Sequence, residues 1–454
     1  MALKAFVAAR RQVQKQQEGD SKGLAWWQLT LLGIGCTIGT GYFLAPAIAI
    51  QKAGPSVLLA FVLAAVGTYF VYDALAAMTA AHPEKGSFRS YAKHAYGRWA
   101  GFSNGWVYWA SEMLITGSQL TALSIFSRFW FPGMPIWSFA AIYAVLGIGV
   151  LLLGVKGFER MENGFAVVKI AAIVMFILIA SAAWFGWLDT SSQSVQEVMS
   201  DWLPKGILGL WGAFMYAFYA FGGIEIMGLL AVELKDRSEA SKSGKVMILA
   251  LIVIYLVTFS LALLLVKWDQ FNTKKSPFIT ALDGTHITFI PHVFNGVLII
   301  AGFSTMLASL YAVTNMLVTL AEEGDAPKVF AKKSRRNLAY PALWLTAGGM
   351  LVSITASLLL PSNIFEYMTT AAGLMLLYTW FFILLSACKL IRNGAWGKIK
   401  IGLGGLLIIT AISGTSLDST SRAGLWVSLL FLALIAIVTI FMHLKWRKQA
   451  PKPS

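Results

Sequence analysis

Apolar runs of about 20 residues or more recur along the chain, separated by short clusters of charge. A run of that length with few or no charges is what an α-helix needs to cross a bilayer. Only 13% of the residues are charged and 57% are hydrophobic, against roughly 25% charged in an ordinary soluble domain. The pattern excludes a soluble enzyme, a disulfide scaffold and a disordered chain. A transmembrane β-barrel would show strands of ~10 residues with alternating polarity instead. The expected class is an all-α polytopic membrane protein.

The 454 residues carry a formal net charge of +15. The basic residues flank the apolar runs, so the charge reads as membrane topology and no nucleic-acid partner is expected. Twelve spans are expected, at approximately 24–50, 55–80, 88–127, 135–155, 161–186, 202–233, 246–267, 286–320, 341–360, 364–392, 397–413 and 423–444. With the N-terminus placed inside, alternation puts 28 of the 36 Lys and Arg residues in inner segments and 7 in outer ones, with Lys169 inside a span. That asymmetry predicts a multi-pass protein of the cell membrane with both termini cytoplasmic. Residues 1–23 are polar and basic, with no cleavable signal peptide, and suit a short amphipathic helix on the inner surface. Residues 445–454 form a cytoplasmic tail, and no separate soluble domain is expected. Cys36 and Cys388 lack metal-ligand spacing and read as reduced packing residues, so neither a metal nor a cofactor is expected.

Span 1 contains Gly33, Gly35, Gly39 and Gly41 within nine residues. Each weakens a helix by about 1 kcal/mol relative to Ala. Span 6 contains Ala220-Phe221-Gly222-Gly223-Ile224-Glu225. Irregular backbone at membrane depth persists only where it lines a cavity or lies within protein. Broken helices at matching places in two halves point to a transporter site near the midplane. Small residues that simply let helices approach closely are the other reading. The positive starts and negative ends of half-helices complement a carboxylate and an ammonium. Two facing breaks therefore suit a zwitterion such as an amino acid.

Further segments resemble a known family. They are Ile38-Gly39-Thr40-Gly41-Tyr42-Phe43 with Ala53-Gly54-Pro55-Ser56, His82-Pro83-Glu84-Lys85-Gly86-Ser87-Phe88, and Gly101-Phe102-Ser103-Asn104-Gly105-Trp106-Val107-Tyr108-Trp109. Phe221-Gly222-Gly223-Ile224-Glu225 and the run from Met316 to Lys328 through Ala321-Glu322-Glu323-Gly324-Asp325 complete the set. In this order and spacing the chain resembles the bacterial amino acid permeases of the amino acid–polyamine–organocation superfamily, within its amino acid transporter family. The resemblance implies a LeuT-type fold of two inverted five-helix repeats with helices 1 and 6 broken, plus two extra helices. The transport core would then span 24–392, with repeats at about 24–186 and 202–392, followed by helices 11 and 12 over 397–444.

The same resemblance implies that a substrate carboxylate meets backbone at Thr37, Ile38, Gly39, Thr40 and Gly41. It places the amino group against carbonyls near the span 1 break and near Phe218, Ala220, Phe221 and Gly222. Phe218 or Phe221 would be the gate over the substrate. Similar sodium-independent permeases hold a lysine in span 5 where others hold sodium, which makes Lys169 a coupling residue; snorkelling to the interface is the alternative. Glu225 matches the family glutamate at the second break and is expected to serve structure or coupling. Glu112 and Gln119, seven apart on one helix face, are further pocket residues. The family often has an acid where Gln119 stands and Gly-Glu where this chain reads Ala76-Ala77.

The expected function is a secondary active transporter that takes up amino acids, neutral by preference, in symport with protons. No Gly-x-x-x-x-Gly-Lys-Ser/Thr run is present to bind ATP. An exchanger or exporter of the same fold, or a cationic amino acid permease, stands as the alternative. The partners expected are the amino acid, protons and membrane lipid.

Overall fold

A computed structural model describes residues 23–84, 86–153, 155–188, 192–285, 289–334, 338–359, 364–391 and 394–449. The expected surface helix before residue 23 and the end of the tail, 450–454, lie outside the described residues.

Helices account for the spans of the described chain. They are α1 Trp26–Thr37, α2 Thr40–Phe43, α3 Ala45–Ala53, α4 Val57–Ala81, α5 Phe88–Tyr96, α6 Arg98–Arg128, α7 Ile136–Leu152 and α8 Val155–Trp184. After these come α9 Val195–Ser200, α10 Gly206–Tyr219, α11 Ile224–Leu230, α12 Ala240–Leu265 and α13 Pro277–Leu282. The last are α14 Phe289–Glu322, α15 Tyr340–Leu359, α16 Ile364–Leu390, α17 Ala395–Gly414 and α18 Ser419–Gln449. Nine helical stretches among the described residues are long and apolar enough to cross a membrane, and Ile136–Leu152 is a shorter apolar helix. No strand occurs among the described residues, apart from one isolated bridge that joins Leu24 to Leu234.

Burial sorts the helices by role. In α6 most residues are buried, including Asn104, Glu112 and Gln119, and the helix packs between α14 and α16. Its polarity fits a helix that faces protein on all sides. By contrast α18 exposes Leu430, Ile437, Ile440 and Phe441. An apolar face of that kind has acyl chains as its natural solvent. The breaks sit in the middle of this bundle: α3 packs on α10, α1 on α12, and α11 on α1.

Ion pairs fasten both ends of the bundle. At one end Arg89 lies against Glu323 and Asp325, Lys93 against Glu323 at 2.9 Å, and Arg98 against Asp325 at 3.0 Å. At the other end Lys52 bridges Glu366 at 3.0 Å and Asp418 at 2.8 Å, joining α3 to α16 and to the start of α18. Asp73 pairs with Lys400 at 2.9 Å and accepts a hydrogen bond from Ser241 Oγ, which fixes α17 against α4.

Candidate functional site

The helix begun at Trp26 stops at Thr37, passes through extended Ile38, and restarts at Thr40. Gly39 lies so close to α14 that a Cβ there would overlap the side chain of Thr305. The second helix stops at Tyr219, turns through Ala220–Gly223, and restarts at Ile224. Gly223 has φ +112°, a left-handed conformation that glycine adopts without penalty. A Cβ on Gly223 would stand 3.2 Å from Thr37 Oγ1 and 3.3 Å from the Cys36 carbonyl oxygen. One on Gly41 would stand 3.3 Å from the Tyr219 carbonyl oxygen. The two breaks therefore abut, each glycine turned to the other break.

Breaking a helix leaves backbone groups without intrahelical partners. At the end of α1 the Gly35 carbonyl accepts a hydrogen bond from Lys169 Nζ at 2.8 Å. Lys169 comes from α8 and is 2% exposed. An ammonium at a helix C-terminus both satisfies a carbonyl and opposes the negative end of the dipole. At the start of α11 the Gly223 N–H donates to Glu225 Oε1 and Oε2 at 3.1 and 3.2 Å. Trp380 Nε1–H donates to the same Oε2 at 3.2 Å. Glu225 thus caps its own helix, its carboxyl oxygens accepting at the positive end.

Between the breaks lies a cavity of about 40 Å³. Of the residues singled out from sequence, Thr37, Gly39, Thr40, Gly41, Gly222, Glu225, Glu112 and Gln119 line it. Cys36, Ile115, Tyr219, Gly223, Ile226, Thr305, Ala308 and Ser309 complete the wall. Sequence reasoning named no residue of α14 for this wall. Thr305 and Ser309, polar residues four apart in an apolar span, share one helix face and were the available sign. Three buried polar atoms of the wall, Thr37 Oγ1, Glu112 Oε2 and Gln119 Oε1, have no hydrogen-bond partner among the described residues. Buried polar atoms are satisfied almost everywhere else in proteins, so three around one cavity mark a place made for a polar occupant.

Other expected residues stand apart from the cavity. Ile38 is buried behind it. Phe218 packs on Phe214 and Trp380, with ring centroids 5.0 and 6.2 Å away. Phe221 packs on Tyr255 at 5.1 Å and on Phe61 at 6.5 Å. The Ala220 carbonyl accepts from Tyr255 Oη–H at 2.6 Å. Phe218 and Phe221 are three apart, so they share the face that α10 and the break press into the core. Tyr219 is rotated by about 100° from Phe218 on a helix and is the aromatic residue of the cavity wall.

A wider hollow of about 530 Å³, lined by Gln193, Lys267, Lys275 and Asp283, lies among connecting loops away from both breaks. No group of three or more His, Cys, Asp or Glu is placed to hold a metal among the described residues. The cavity at the breaks is therefore the place where backbone polarity, buried carboxyls and unpartnered acceptors converge.

A family model described as amino acid permease matches residues 28–452. An uncharacterized transporter, YcgH, of Bacillus subtilis is 54% identical over 434 residues, covering 95% of this chain and 97% of its own. The aromatic amino acid transport protein AroP of Corynebacterium glutamicum is 31% identical over 448 residues, 94% of this chain and 96% of its own. Its namesake in Escherichia coli K12 is 28% identical over 439 residues, 94% and 92% respectively.

Proposed function

Since the chain belongs to the amino acid permease family, we propose that it is a secondary active transporter that carries neutral amino acids into the cell in symport with a proton. Its twelve spans form two inverted five-helix repeats and two added helices in the cell membrane, with both termini cytoplasmic. The substrate lies between the breaks. Its carboxylate meets the N–H groups at Gly39, Thr40 and Gly41, which open a half-helix, and its ammonium meets the carbonyl ends of the two broken helices. Rocking of one repeat against the other exposes it to each side in turn.

The observation that carries this reading is the placement of Lys169 on the carbonyl of Gly35, the chain neighbour of Cys36 in the cavity wall. Two carboxyl side chains, Glu112 and Glu225, line the cavity, and no basic side chain does. Buried charge is costly unless it is balanced. With two carboxyls in the cavity and one ammonium bound to the broken helix next to it, a single proton completes the balance. A zwitterion leaves that balance unchanged, whereas a cationic substrate would upset it. The aromatic amino acids that two relatives are named for are also neutral.

The test is uptake of a labelled amino acid mixture by liposomes containing the purified protein, with and without an inward proton gradient. Uptake should rise with the gradient and be lost in a folded Lys169→Ala variant. Uptake that ignores the gradient and requires amino acid inside the vesicle would replace symport with exchange. Failure to take up any amino acid would overturn the substrate class.

A further inference from the structure

The two carboxyls of the cavity differ in a way that bears on what the substrate's side chain can be. Both oxygens of Glu225 are engaged, by the Gly223 N–H and by Trp380. Glu112 Oε2 is buried and makes no hydrogen bond of ordinary length among the described residues, with the hydroxyls of Tyr108 and Ser309 standing near its carboxyl. Gln119 lies on the same face of α6, and Ile115 stands between the two. Gln119 Nε2 donates to Ser309 Oγ at 3.4 Å, and its Oε1 is left unpartnered. Exchanging the amide's O and N would leave a donor unpartnered in place of an acceptor, so in either assignment this end of the amide lacks a hydrogen-bonding group. Glu112 is 1% exposed and Gln119 4%, so bulk water does not serve these atoms. The backbone at the breaks can account for the ends of an amino acid that all such substrates share. It has no use for unpartnered polar atoms on α6.

We infer that the face of α6 carrying Glu112, Ile115 and Gln119 receives the substrate's side chain, and selects uncharged side chains that carry a hydrogen-bonding group: hydroxyls, amides or ring nitrogens. The inference rests on the preceding reading, in which the amino and carboxyl ends are held at the breaks. A hydrogen-bonding group of the substrate satisfies Glu112 Oε2 or the free end of the Gln119 amide. A side chain of the same shape without such a group leaves them buried and unpaired. Sites built to hydrogen-bond a substrate group discriminate strongly against the analogue that lacks it, because the protein's own polar atoms are then left stranded. An ammonium or guanidinium could also reach these acceptors, but it would add a charge to a cavity that one proton already balances.

Isosteric pairs of amino acids provide the test: threonine with valine, glutamine with methionine, tyrosine with phenylalanine. Each pair competes for uptake into liposomes containing the full chain, and the ratio within a pair is the readout. A general loss of transport does not move that ratio. The polar member should win in at least one pair by about tenfold or more. In Glu112→Met and in Gln119→Leu the ratio should fall toward one. Should either variant not transport, thermal stabilisation of the purified protein by threonine against valine gives the same comparison. Uptake of amino acids with ratios near one in the parent protein would overturn this inference and leave the transporter reading intact. Lysine or arginine outcompeting every neutral amino acid would overturn the uncharged class. Uptake of no amino acid at all would overturn both readings together.

Discussion

Gly223 is where residue chemistry and site geometry meet most tightly. Its left-handed backbone and its approach to Thr37 and Cys36 leave no room for a side chain. Gly223→Ala is expected to add about 1–3 kcal/mol of backbone strain and to press the two breaks apart. Amino acid uptake should fall sharply with only a modest loss of melting temperature; unaltered uptake would separate this glycine from the site. The buried ion pairs allow a second contrast. Arg89 and Asp325 are both fully buried, whereas Lys400 and Asp73 retain part of their exposure. Removing one partner of a buried pair costs up to about 3–5 kcal/mol, and without Arg89 the buried Asp325 keeps only the part-exposed Arg98. Opening a more exposed pair costs about 0–1 kcal/mol. Arg89→Met should therefore melt far below Lys400→Met, and similar melting of the two variants would count against this placement of Arg89.

At the scale of elements, the two broken helices are tied together outside the cavity as well as around it. Leu24 N–H donates to the Glu233 carbonyl at 2.9 Å, and Lys235 N–H donates to the Leu24 carbonyl at 3.0 Å. This joins the entry to α1 with the exit from α11. If α1 and α11 must part for substrate to leave, a cross-link here should stop transport. Oxidised Leu24→Cys/Leu234→Cys protein should be inactive and recover on reduction; transport in the cross-linked state would contradict movement at this junction. On the opposite side Lys52, Glu366 and Asp418 clasp α3, α16 and α18. Burial pushes the Asp418 carboxyl up, but hydrogen bonds from Lys52 and the Ser421 backbone outweigh it and hold the group below its ordinary value. A lowered carboxyl stabilises the fold above the ordinary carboxylate range, and that contribution is lost as pH falls through the lowered value. Asp418→Asn should therefore melt slightly lower than the parent near neutrality. The difference should vanish below about pH 3, and a difference that persisted there would exclude the ion pair as its cause. Much at this scale was legible in the sequence. Glycine clusters marked the helix breaks, because backbone weakness is a local property. The inward face of the second break was not legible: Phe218 and Phe221 are as apolar as any cavity aromatic, and only packing against Phe61, Trp380 and Tyr255 turns them away.

Across the whole molecule, the long apolar stretches follow from hydropathy and length alone, which is why they could be read before any contact was known. The meeting of Glu112, Gln119, Thr305 and Ser309 with the breaks could not be read that way. It depends on how α6 and α14 pack, and sequence distance carries no record of that. The resulting site holds two carboxyls, with Lys169 on the carbonyl of Gly35, the chain neighbour of Cys36 in the wall, and coupling to one proton is the account's central claim. The most direct test places a pH-sensitive dye inside liposomes containing the purified protein, with no initial gradient, and adds a transported neutral amino acid outside. Acidification of the lumen is expected in step with labelled amino acid entry, and neither signal with folded Lys169→Ala. Entry of amino acid with no change of internal pH would contradict coupling to a proton.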